Sequence, residues 1–490
     1  MRILLTIFVL VVVCLPTSAK FDWNHNCQSA YTATINLKFE QAKLLLTLEK
    51  QKNPENSLVY LIENYIDYLV IQIGEEESDF QRLKTFKDTR ISNIINDDAQ
   101  SPWALYSQAE IHLQWSANRL KFGDYFTAAY EIRKAYKLLE KNNVLYPDFL
   151  PNGKSLGLLY SLLGSVPERY QWILTVAGMQ GDLKNGFVLL EQTMERMKKD
   201  DVFSVMLDET YFLYSFLKMN LDNNKEDLNN VLNDIKDSQN ILLNFAASRL
   251  ATKTAQNDLA IKILENRTQS SEIHNFLYLD YLLGIGKLNQ INEDCLLYFN
   301  RYLTKFDGKN YKKSTLMRMS WFAFINDDTT AYNTYKQQIN SVGSLQIDAD
   351  KEAQNFYRSK HKPNKALLKA RLYFDGGYYQ KALNELNQIS PNKWNGLHDE
   401  LDYYYRLGRT HEQLNEINLS LVYYNKAFVK GAHEQYFFAA KSSLQMALIY
   451  EKEKDFKLAE KYFKTTIGLK NHLYEQSIEQ KAKAGLERIN

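Results

Sequence analysis

Three stretches near the C-terminal end share one pattern of small and large residues, and that pattern narrows the chain to helical hairpins. Ala370 is followed by Tyr373, Ala382 and Leu386; Gly408 by His411, Ser420 and Tyr424; Ala447 by Tyr450, Ala459 and Phe463. In each, a ring lies three residues after a small residue, a second small residue twelve after it, and a large apolar residue four beyond that. A small residue lets a second helix approach closely, and large residues fill the space between neighbouring pairs. The first small residues stand 38 and 39 positions apart. Tandem recurrence at a near-constant period predicts stacked hairpins, each burying one face on the next. Ala109, His112, Gly123, Tyr125, Ala128, Ile132 and Ala135 repeat the theme with Ala109 and Ala128 19 positions apart, which predicts a longer first helix. Phe39 to Ala42, Leu46 and Pro54 read as a second helix and its closing proline.

The rest of the chain agrees with an all-helical fold. It has only 19 Gly and 8 Pro in 490 residues, whereas an all-β domain needs turn residues about every 8–12 positions. Breaks are few. Asn142 to Gly153, with Pro147 and Pro151, reads as a loop between hairpins; 220–225 is a polar break; 341–363, with Gly343 and Pro363, reads as a joint between subdomains. The tail from Tyr474 suits the polar capping helix that ends a stack of repeats. The expected organisation is irregular helical repeats over 20–230, hairpins over 231–345, and regular repeats with a cap over 346–490.

The first residues give an address. Met1-Arg2 precedes an apolar run from Ile3 to Leu15, and Pro16-Thr17-Ser18-Ala19 supplies small residues for cleavage. This predicts a signal peptide over 1–19 and a mature chain exported to the periplasm or cell envelope. No later run reaches about 18 apolar residues, so no integral membrane segment is expected in the mature chain. Cys27 and Cys295 are too few for a disulfide framework and are expected as free thiols. With 60 Lys+Arg against 58 Asp+Glu, nothing points to nucleic acid as a partner.

The small and large spacing resembles that of the tetratricopeptide repeat, with small residues at positions 8 and 20 and large ones at 11 and 24. The resemblance implies an all-α, α-solenoid fold: a right-handed superhelix of hairpins whose first helices line a groove. In such arrays positions 2, 5, 9, 12 and 13 of the first helix face that groove. Here these include Leu367, Arg371 and Phe374, then Asp402, Tyr405, Arg409 and Glu412, then Leu444, Leu448 and Glu451. Arg371 and Arg409 occupy position 9 of successive repeats. Arginine grips a carboxylate with two donors, which suits an acidic or C-terminal peptide; the other reading is an arginine that is solvated or paired within the chain. Arg371, Phe374, Tyr405, Arg409 and Glu412 are therefore the candidate partner-binding residues. A second likeness lies between Leu156 and Leu190. Gly157, Ser161 and Pro167, the turn Gly178-Met179-Gln180-Gly181-Asp182, and the Leu-rich run from Gly186 resemble the tetratricopeptide repeat protein 39 family, which includes the fungal inclusion-body-clearance proteins. That resemblance implies a helical, non-catalytic scaffold and supplies no catalytic residues.

Catalytic and metal motifs are not recognisable. None of the eight His pairs with another at the spacing of a zinc-binding helix. Asp348-Ala349-Asp350 begins like a calcium loop, but Ala353 stands where the loop needs Gly. Neither a phosphate-binding Gly-rich loop nor a serine nucleophile elbow is present. The expected function is a scaffold, not an enzyme and without cofactor or metal, that binds a peptide or protein partner in its groove. The alternative is a glycan-binding or glycan-hydrolysing helical envelope protein, because hydrolysis needs only two carboxylates about 5–9 Å apart.

Overall fold

The computed structural model describes residues 20–95, 101–166, 168–222, 224–390, 394 and 396–489. The expected signal peptide over 1–19 and Pro167 lie outside the described residues. Every regular element among the described residues is helical. Consecutive helices pack against each other in adjacent pairs. None of the described helices is long and apolar enough to cross a membrane.

One turn builds most of these pairs. At Leu37, Gly123, Ala255, Ile291, Asp327, Gly377, Asn415 and Lys454 the backbone is left-handed, with φ between 57° and 81°. In each case the N–H of the following residue reaches back to a carbonyl in the last turn of the preceding helix, as from Asp124 to Arg119, Tyr378 to Tyr373, Glu416 to His411 and Asp455 to Tyr450, at 2.8–2.9 Å. This bond satisfies a carbonyl that the helix end would leave unpaired, and it reverses the chain within a few residues. Asp124, Asp328 and Asp455 then cap the next helix by accepting the N–H groups of Thr127, Ala331 and Leu458. Only two of the eight left-handed positions are glycine. The hairpins thus form with few of the residues that announce a turn.

The described residues fall into two compact units. The first runs to Asp222 and includes Asn240–Leu243 and Thr268–Asn275; the second comprises Asn223–Gln239, Asn244–Arg267 and Phe276–Asn490. Most of 231–345 and all of 346–490 belong to the second.

In the first unit, helix Pro102–Lys121 pairs with Tyr125–Leu145 and helix Leu150–Gly164 with Leu183–Met197. The former pair contains the widely spaced Ala109 and Ala128, and its first helix is long, at 20 residues. In the latter pair a Cβ on Gly157 would stand 2.6 Å from the Leu190 side chain, and one on Gly186 2.3 Å from Ser161 Oγ, so only glycine admits this approach. Gly178 has φ 67° and Asp182 caps the second helix through Asn185 N, which places the turn where the sequence indicates it. The loop expected over Asn142 to Gly153 is shorter. One helix continues to Leu145 and the next begins at Leu150, with Pro151 in its first turn, where a missing N–H costs nothing.

The second unit ends in three successive hairpins: Lys365–Asp375 with Tyr379–Asn387, Leu397–Gln413 with Ile417–Gly431, and Phe438–Lys452 with Phe456–Gly468. The patterned residues form their core. Ala370, Ala382, Leu386, Ser420, Tyr424, Ala447, Ala459 and Phe463 are all at most 1% exposed. A Cβ on Gly408 would meet the Tyr424 ring at 2.6 Å, so the small residue of the first helix makes room for the ring of the second. His411 stacks on Tyr423 and Tyr450 on Tyr462 at the same place in their hairpins. Leu407 joins Leu367 and Leu386 in one cluster, and Phe438 and Met446 join Leu401 and Tyr405 in the next, so each hairpin buries a face on its neighbour. Helix Glu475–Ile489 closes the stack with Ile478 and Ala482 buried. Cys27 and Cys295 are free and buried.

The joint expected over 341–363 contains a helix, Asp348–Arg358. Its composition hides it, since Ala353 is its one fully buried apolar residue. Asp350 fixes its start by accepting the N–H groups of Tyr311 at 2.7 Å and Ser314 at 2.9 Å, which caps helix Lys312–Ile325.

Candidate functional site

The expected site residues lie on the first helices of the first two C-terminal hairpins, and one of them, Arg371, reaches helix Asp348–Arg358. Arg371 Nη2 donates to Glu352 Oε1 at 2.8 Å, its Nε lies 3.7 Å from Asp375 Oδ2, and its guanidinium sits 4.7 Å from the Trp321 ring centre. Burial disfavours its charge, but Glu352 and Asp375 outweigh that and hold the guanidinium above its usual range. Burial likewise acts against the Glu352 carboxylate, and Arg371 nevertheless holds it below the usual carboxylate range. Arg371 is thus an internally paired arginine.

Arg409 is different. Its guanidinium lies 4.0 Å from the Phe374 ring centre and 5.8 Å from that of Tyr405. No ion pair to it is formed among the described residues. Lys441, on the first helix of the third hairpin, also has no ion pair among the described residues; its ammonium lies over the Phe437 and Tyr474 rings at 5.4 and 5.9 Å. Burial lowers its pKa, and the charges of Arg409, Lys481 and Arg371 add to this, bringing it to about 8. The result is a half-buried patch in which Arg409 and Lys441 lie against aromatic rings without a direct ion pair, with the Glu412 and Glu352 carboxylates close enough to act on them.

Of the candidates, Arg371, Phe374, Tyr405 and Arg409 come together. Tyr405 is only 6% exposed and packs with Leu401, Tyr424 and Phe438, so most of its ring serves the core. Leu367 and Leu444, at the same repeat position, are buried with it. Glu412 accepts the Tyr424 hydroxyl at 2.6 Å; burial raises its pKa, partly offset by that bond and by Arg409. Glu451 forms a two-donor pair with Arg488. Sequence reasoning missed Glu352, Trp321 and Lys441. Lys441 was legible, since it stands six residues before Ala447, as Asp402 does before Gly408. Glu352 was hidden by the unrecognised helix.

Two other polar groups could do chemistry. In the first unit Lys154, fully buried, donates to Glu209 Oε2 at 2.6 Å and to the Tyr65 hydroxyl at 2.9 Å, with Glu110 at 3.4 Å. Burial opposes its charge, but Glu110 and Glu209 hold it protonated. These carboxylates are 5% and 7% exposed and share the one Lys154 ammonium, with Tyr65 and Ser155 also donating to Glu110. In the second unit His361, His398 and Asp399 bring one donor atom each within 4.8 Å of one another. The two histidines are 37 positions apart, which is why no ligand spacing shows in the sequence.

No protein-family model matches this chain, and no curated protein sequence matches it either.

Proposed function

We propose that this chain is an exported, non-catalytic scaffold whose C-terminal hairpins form a tetratricopeptide-like array and hold an acidic or C-terminal segment of a protein partner. The array is supported by the buried small residues at recurring positions, the repeated left-handed turn and the closing helix. Kinship with the tetratricopeptide repeat protein 39 family rests on the Leu156 to Leu190 pattern, and the close Gly157–Leu190 approach gives that pattern a packing role. Export rests on residues 1–19.

The observation that carries the binding reading is a pair of cations without carboxylate partners, Arg409 and Lys441, beside an arginine that already has one. A bound carboxylate would offset the burial and the neighbouring cations that together lower Lys441, and Phe374 and Phe437 would flank it. The test is fluorescence anisotropy with acidic peptides bearing a free or an amidated C-terminus, against wild type and Arg409→Ala/Lys441→Met. Removing both cations should weaken binding by about 2–5 kcal/mol if they desolvate a carboxylate. A loss below about 1 kcal/mol means that they meet the peptide only through solvent and overturns this site. Arg371→Ala should instead disturb the contact with helix Asp348–Arg358, because Glu352 is left without its partner.

A further inference from the structure

We propose that His361, His398 and Asp399 form a binding site for one divalent first-row transition ion, zinc above all. The three residues come from two places in the second unit: His361 from the link between helices Asp348–Arg358 and Lys365–Asp375, the other two from the first turn of helix Leu397–Gln413. Their donor atoms lie within 4.8 Å of one another, and the imidazole centres are 4.4 Å apart. In a tetrahedral zinc site with bonds near 2.0–2.1 Å, ligand atoms stand roughly 3.3 Å apart. Small side-chain rotations therefore close the set around an ion.

The contacts within the trio leave polar atoms unsatisfied. His361 Nε2 stands 3.0 Å from Asp399 Oδ1 and His398 Nδ1 3.5 Å from it, close enough for ion pairs. Yet His361 Nε2, His398 Nδ1 and Asp399 Oδ2 are all buried atoms without a hydrogen-bond partner. Asp399 itself is 1% exposed. Three buried acceptors or donors that approach one another without aligning are costly unless something between them uses their lone pairs. A cation does so, and two imidazoles with one carboxylate are ligands that zinc favours. The surroundings fit: the His398 ring meets Tyr436 edge-on at 5.1 Å and Phe438 at 5.2 Å, an apolar wall that limits competing water. Both imidazoles remain about a third exposed, which leaves an entry path and a fourth position for water. The ion would tie the 359–364 link to the second C-terminal hairpin. This site is independent of the cationic patch and of the peptide reading.

The test uses the full chain, stripped with chelator and dialysed. Cobalt is added as a visible probe, and zinc is titrated in competition with a chromophoric chelator. One equivalent should bind with a dissociation constant in the micromolar range or below, with cobalt absorption in the tetrahedral region and a raised melting temperature. His361→Ala and His398→Ala should each weaken binding at least about tenfold, since even residues supporting a ligand are worth about 10–100-fold. His361 lies in a non-helical, part-exposed link, so its variant keeps the fold and an unchanged circular dichroism spectrum checks this; Asp399→Asn is the stricter, buried test. The proposal is overturned if no stoichiometric ion binds at concentrations up to about 100 µM, or if both histidine variants bind as wild type does. In either case the trio is a plain histidine–aspartate contact.

Discussion

Lys441 shows how one residue joins packing to chemistry. Burial and its cationic neighbours bring its pKa down to about 8 from an ordinary 10.5. Between those values the unfolded chain holds a proton that the folded chain has released, so Lys441 makes stability rise with pH across that window. Urea midpoints for wild type and Lys441→Met should therefore diverge in favour of wild type on going from about pH 7.5 to about pH 9.5. An unchanged difference would place the lysine in solvent. The same proton is the one an anionic ligand needs, so peptide affinity should fall as pH rises through about 8. Lys154 is the contrasting case: it is fully buried, and its two carboxylates keep it charged.

At the scale of the element, the hairpin is the unit, and its two small residues set how closely the helices meet. Ala382 and Ala459 are both fully buried. Ala382→Leu and Ala459→Leu should each destabilise by about 1–3 kcal/mol, because a larger side chain forces apart a packed helix pair. Denaturant unfolding followed by circular dichroism measures this, and two neutral substitutions would mean that the repeat register is misassigned. Helix Asp348–Arg358 shows the limit of pattern reading. Asp348 and Asp350 fill its first turn, as helix starts favour, but with Ala353 as its one fully buried apolar residue it lacks the stripe that usually announces a helix. Most of the eight left-handed turns are similarly quiet in the sequence, because Leu37, Ala255, Ile291, Asp327, Asn415 and Lys454 take the conformation that glycine takes at Gly123 and Gly377. Each accepts a local cost in return for the carbonyl bond that ends its helix.

For the whole molecule, the proposed export makes one direct prediction: N-terminal sequencing of protein isolated from cells should begin at Lys20. A chain that retains Met1 would end the envelope assignment and, with it, the expected class of partner. The all-helical class and the positions of the C-terminal hairpins were determined by the sequence alone, because small and large residues recurring at helical spacing admit few other ways to be buried. The long first helix of the Ala109 hairpin and the closing helix were legible for the same reason. Which charges are already satisfied was decided only by the tertiary structure. Arg371 and Arg409 hold equivalent repeat positions, yet one meets Glu352 from a separate helix and the other meets the face of Phe374. His361 and His398 look unrelated across 37 positions and become neighbours once the hairpins stack. Periodicity reports which face of a helix is buried. It carries no information about which distant side chain arrives there, because that depends on how successive hairpins pack.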